Sequence, residues 1–112
     1  MKELKVGLVA GRHEMPVQEY IFNSIPDVLD FEALSERAIQ FWSKHWNCDK
    51  VVIYVTGLTS AVLAVVDAWL ELNVGSLLSF MHYDRETATY KEQAFYGSDL
   101  LEMRRFCCEE EA

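Results

Sequence analysis

Cysteine is scarce in this chain, and its arrangement excludes a stapled fold. There are three, Cys48, Cys107 and Cys108. An odd number with two adjacent members makes a poor disulfide framework, and the spacing fits no zinc pattern. Reduced thiols in a cytoplasmic protein are the expectation. Basic residues are few as well: 10 Lys and Arg stand against 18 Asp and Glu, for a net charge of −8. Such a surface repels polyphosphate at long range, which argues against double-stranded nucleic acid as a partner. It still admits a small phosphate held by local backbone dipoles. Long apolar runs are absent. The most apolar stretch, Ala61 to Leu72, is about twelve residues and carries Asp67, whereas a membrane span needs roughly 20. Leu4 to Ala10 is likewise too short for a signal-peptide core and cleavage site. No linker, internal repeat or low-complexity segment divides the 112 residues, so a single domain over 1–112 is expected. There is no Walker loop, no G-x-S-x-G and no G-x-G-x-x-G.

What is present is apolar content of 51%, enough for a core and for a second buried surface such as a subunit interface. Leu4 to Ala10 reads as a buried strand ending at Gly11. Gly11 to Pro16 reads as a loop, and Val17 to Ile25 as a short strand or irregular segment. Asp30 is placed to cap a helix, because its carboxylate can accept from an orphan N–H of the first turn. Phe31, Leu34, Ala38, Phe41 and Trp42 then recur at helical spacing, and Asn47 is a plausible stop. Lys50 to Val55 is β-branched and aromatic with no breaker, which predicts a central buried strand.

Thr59 or Ser60 is expected to cap a second helix, Ala61 to Leu72. That helix is apolar nearly all round, with only Asp67 and Glu71 marking a wet side, so a homodimer covering part of it is expected. Leu77 to His82 and Tyr90 to Tyr96 read as strands joined in an antiparallel hairpin. Ser98 or Asp99 opens a last short helix with Leu100, Leu101, Met103 and Phe106, and Glu109 to Glu111 form a frayed tail. The alternation predicts an α/β class: a small Rossmann-like three-layer domain, its sheet mostly parallel, with an antiparallel C-terminal hairpin.

In such sheets ligands bind beyond the carboxyl ends of the strands. Three polar clusters follow the strands here: Gly11-Arg12-His13-Glu14, Thr56-Gly57-Leu58-Thr59-Ser60 and His82-Tyr83-Asp84-Arg85-Glu86. The second has the clearest physics. It runs from a strand through a Gly-containing turn into a helix start, where free N–H groups and the dipole favour an anion. Thr56, Gly57, Thr59 and Ser60 are its candidate ligand-binding residues. The plain alternative is that Thr59 and Ser60 cap the helix and Gly57 makes the turn. Arg12 and Arg85 are candidate anion ligands, and His13 and His82 candidate proton-transfer groups. The alternative there is two solvated charged loops. A metal held by His13, His82 and Asp84 has no supporting local spacing. His45, near a helix end, is expected to complement the dipole. Trp42, Trp46 and Trp69 are read as core or interface, not as a base-stacking platform.

The stretch Val51-Val52-Ile53-Tyr54-Val55-Thr56-Gly57-Leu58-Thr59-Ser60-Ala61 resembles the strand–turn–helix of CRISPR-associated Rossmann-fold (CARF) domains. That group often shows an apolar strand, a Thr-Gly-Gly-Thr-like turn and a helix. The resemblance covers about eleven of 112 residues, and Thr56, Gly57 and Thr59 are the positions it carries over. Leu58 replaces the second glycine, and Ser60 stands where a basic residue is common. The resemblance implies a nucleotide-binding dimer that takes cyclic oligonucleotides across its two-fold axis, some members cleaving them.

Together these readings predict binding, and cleavage as a further step, of a phosphate-bearing small molecule such as a nucleotide or cyclic oligonucleotide. No cofactor and no membrane partner are implied. The alternative is a non-enzymatic interaction or assembly module acting through the apolar helix face.

Overall fold

The computed structural model describes residues 2–11, 15–72 and 74–95. Seven elements follow in chain order: β1 (Glu3–Val9), β2 (Tyr20–Phe22), α1 (Phe31–His45), β3 (Lys50–Tyr54), α2 (Thr59–Glu71), β4 (Leu77–Asp84) and β5 (Thr89–Phe95). They build one five-stranded sheet in the order β2-β1-β3-β4-β5. The first four strands are parallel, and β5 returns antiparallel to β4. The α/β class, the parallel sheet and the C-terminal hairpin are as expected. The central strand is β3, as its run of β-branched and aromatic residues predicts.

Both described helices lie on one face. Val6 and Leu8 of β1, Val51 and Ile53 of β3, and Leu78 and Phe80 of β4 alternate toward them. Leu34, Ala38, Phe41 and Trp42 of α1 and Ala61, Val65, Ala68 and Trp69 of α2 complete that core. Trp42 donates from Nε1 to the Val65 carbonyl, 3.0 Å away, tying the helices together. Across the sheet, Val52 and Tyr54 are covered by Met15, with Val17, Tyr20, Met81 and Tyr90 around them. Among the described residues that second face therefore carries side chains of the β1–β2 connection in place of a helical layer. The expected helix from Ser98 or Asp99 lies outside the described residues, as do the Glu109–Glu111 tail, Cys107 and Cys108.

Asp30 caps α1, its Oδ1 accepting from the Ala33 N–H at 3.2 Å. Phe31 departs from expectation: as the first residue of α1 it is exposed, and the buried stripe begins at Leu34. Trp46, one residue beyond α1, is also exposed, whereas Trp42 and Trp69 are buried. At the edge of the sheet, Arg37 Nε donates to the Ile21 carbonyl of β2 at 2.7 Å. No helix among the described residues is long and apolar enough to cross a membrane.

The opposite edge is held by a polar ladder. Ser79 Oγ on β4 donates to Glu92 Oε2 on β5 at 2.7 Å, and Lys50 Nζ on β3 lies 2.9 Å from the same oxygen. The Ser79 hydrogen bond, then the bond and charge of Lys50, hold the Glu92 carboxyl below its ordinary range. A carboxylate depressed in the folded state stabilises above its unfolded pKa and loses that contribution as pH falls through its folded pKa. Glu92→Gln is accordingly expected to melt below the parent protein at neutral pH. The gap should close progressively below the ordinary value of 4.5, as followed by thermal denaturation across pH.

Candidate functional site

Strand order positions the site. Beside β1 the chain steps first to β2 and then back across to β3, so the connections leaving β1 and β3 diverge and open a crevice at their carboxyl ends. A cleft of about 630 Å³ lies there, lined by Met15, Val55, Thr56, Gly57, His82, Tyr83, Arg85 and Tyr90. That volume is within the roughly 300–1,000 Å³ typical of small-molecule sites. The turn after β3 and the end of β4, two of the three expected polar clusters, thus meet on one rim. Met15 comes from the connection that follows β1. Arg12, His13 and Glu14 of the first cluster lie outside the described residues.

Thr56 is the unusual residue of the rim. It is only 6% exposed, and its Oγ1 is buried without a hydrogen-bond partner among the described residues. A buried hydroxyl in this state costs about 1–3 kcal/mol. The helix beside it is also unfinished. The first residue of α2 is Thr59 and its N-cap is Leu58, which offers no side-chain cap. This corrects the expectation that Thr59 or Ser60 closes the helix start. Val62 N–H is the first to be taken up, by the Leu58 carbonyl at 3.1 Å. Among the described residues nothing accepts from the N–H groups of Thr59, Ser60 or Ala61. A β-carbon added at Gly57 would enter open space, so backbone there stands clear for a ligand.

Arg85 adds positive charge to the cleft, and among the described residues it has no carboxylate partner. Its neighbour Asp84 is engaged elsewhere, with Lys91 Nζ at 3.6 Å and the Glu86 N–H at 3.0 Å. His82 Nε2 lies 2.8 Å from Gln93 Oε1 across the hairpin. Tyr83 and Tyr90 face each other in register, their rings 5.4 Å apart at 61°. Tyr54 meets Tyr90 edge-on at 4.9 Å. Burial and these neighbouring phenols push the Tyr90 hydroxyl above its ordinary pKa.

A second cavity of about 400 Å³ lies on the helix side of the same turn. Val55, Thr56, Gly57 and His82 line both spaces, while Val62, Leu63, Val66, Phe80 and Phe95 make this one apolar. Thr59 lines this second cavity, and Ser60 lines neither.

Other expected sites are placed away from the rim. Among the described residues no group of three or more His, Cys, Asp or Glu side chains is placed to hold a metal. Cys48 is buried ahead of β3, at the end of the sheet opposite the rim. His45 is the last residue of α1, where a cation suits the dipole, but burial pushes its pKa down against the pull of Glu19, 3.8 Å away. Its imidazole rests 4.9 Å from the Phe41 ring. No family model, curated protein or solved structure matches the chain.

Proposed function

We propose that the cleft at the carboxyl ends of β3 and β4 binds a phosphate-bearing small molecule. Thr56 carries the proposal: among the described residues its hydroxyl is buried without a partner, beside a helix start that no side chain caps. Either feature alone is tolerable, since helices end uncapped and hydroxyls find water. On the same cleft Arg85 adds a guanidinium and Gly57 a stretch of open backbone, groups suited to an oxyanion. The net charge of −8 sets the scale of the ligand, since a long polyanion would be repelled before reaching the cleft. The turn that makes the site is the one that resembles CARF domains, and a nucleotide or cyclic oligonucleotide is the ligand that resemblance implies. Turnover would require a proton-transfer group, and His82 is the described histidine at the rim.

Thr56→Val tests the site. It keeps the shape and removes the hydroxyl, so folded stability should hold or rise once the unsatisfied group is gone. Phosphate affinity should fall about ten- to a hundredfold, the equivalent of one hydrogen bond to a charged group. Thermal shift and calorimetry with inorganic phosphate, mononucleotides and cyclic oligonucleotides read both quantities. A variant that is more stable yet binds equally well would remove Thr56 from the site.

The apolar second cavity favours an additional role in assembly. Leu63 on its wall is 62% exposed, and a second copy covering this face would give the homodimer that the composition of α2 suggests. Sedimentation at micromolar concentration reads that state.

A further inference from the structure

The lining of the cleft is of two chemical kinds, and the phosphate reading uses only one of them. Thr56, Gly57 and Arg85 offer polar groups and open backbone, whereas Tyr83, Tyr90 and Met15 offer rings and a thioether. Resting on that reading, we infer that the bound phosphate compound also carries a planar aromatic ring, seated against Tyr83 and Tyr90.

Three observations support the seat. Tyr83 is 54% exposed although it lines a cleft, so its ring has area for a further contact. Tyr83 and Tyr90 meet at 61°, so they do not consume each other's faces in a parallel stack. Tyr90 is in turn braced by Tyr54, which is buried on the central strand at 4.9 Å and 81°. A ring held in this way is a preorganised surface and loses little freedom on binding. Met15 adds a polarisable side chain that accommodates ring edges. A sugar phosphate has no ring for the tyrosines, whereas a nucleoside phosphate has charge for Thr56 and Arg85 and a base for Tyr83 and Tyr90.

The rival explanation is that Tyr83 and Tyr90 are a cross-strand pair stabilising the hairpin. The two roles separate by readout, because a structural role changes melting and leaves ligand preference alone.

The test is calorimetric titration of the full chain with adenosine 5′-monophosphate, ribose 5-phosphate and inorganic phosphate. The nucleotide is expected to bind roughly tenfold tighter than the sugar phosphate, the scale of one base stacking on an aromatic side chain. Tyr83→Ala should abolish that preference while keeping ribose 5-phosphate affinity, and Tyr83→Phe should retain it. Equal affinity for nucleotide and sugar phosphate in the parent chain would overturn the ring seat and leave the phosphate site standing. An equal loss for both ligands in Tyr83→Ala would do the same. Absence of binding by all three probes would overturn the phosphate reading and the seat with it.

Discussion

Trp42→Ala is expected to cost about 3–5 kcal/mol of folding stability, the range for removing a large buried aromatic. Trp42 is fully buried. It joins the two helices by its indole N–H to Val65 and packs edge-on against Phe41 at 5.0 Å. The cavity would open at the seam of α1, α2 and the sheet, where neighbours from three elements must all move to fill it. Domains of this size have about 5–15 kcal/mol in total, so the loss is roughly a fifth or more of the whole. Trp42→Phe separates the contributions by keeping much of the bulk while breaking the bond to Val65. Its cost should be markedly smaller. Urea unfolding of both variants measures the difference. A cost for Trp42→Ala below about 1.5 kcal/mol, the range of an ordinary surface or conservative change, would mean that the helix pair is not seated on the sheet as described.

Gly7→Ala is expected to destabilise by about 1–3 kcal/mol through overpacking, against the usual gain from replacing a strand glycine. A β-carbon at Gly7 would lie 2.4 and 2.5 Å from ring carbons of Tyr20 and 3.1 Å from the Met15 sulfur. Tyr20 belongs to β2 and lies across β1 at the paired position. The ring must swing off the sheet, taking the packing of Met15 with it. Because Met15 also lines the cleft, ligand affinity should fall with stability. The double variant Gly7→Ala, Tyr20→Ala removes the obstacle, so the two changes should be strongly non-additive in a mutant cycle. Stability that rises in the single variant would contradict the close approach.

The elements were legible where residue pattern and local rules agree. Asp30 announced the start of α1, and the unbroken run Lys50 to Tyr54 announced the central strand. β2 was less legible because three residues carry too little alternation to separate a strand from an extended loop. The start of α2 is less legible: its cap is Leu58, one or two residues ahead of the Thr59 or Ser60 that the sequence suggests, because threonine and serine are frequent caps and leucine is not. Among the described residues this leaves the first N–H groups of α2 without an acceptor. The convergence of the Thr56 turn with the end of β4 was legible from the rule that parallel strands open on one rim. Tyr83 and Tyr90 were not. Their partnership depends on the hairpin register and on which sheet face lacks a described helix, and neither is a local property.

Arg37, which donates to the backbone of β2, makes the two borders of the sheet unequal. One border of the sheet is only three residues long and has a carbonyl already occupied by a guanidinium, while the other presents the seven residues of β5. Head-to-tail growth needs two complementary borders, and among the described residues the two borders differ in length. Among the described residues β5 is the longer border, and β5 against β5 would be a self-complementary contact that closes after two chains.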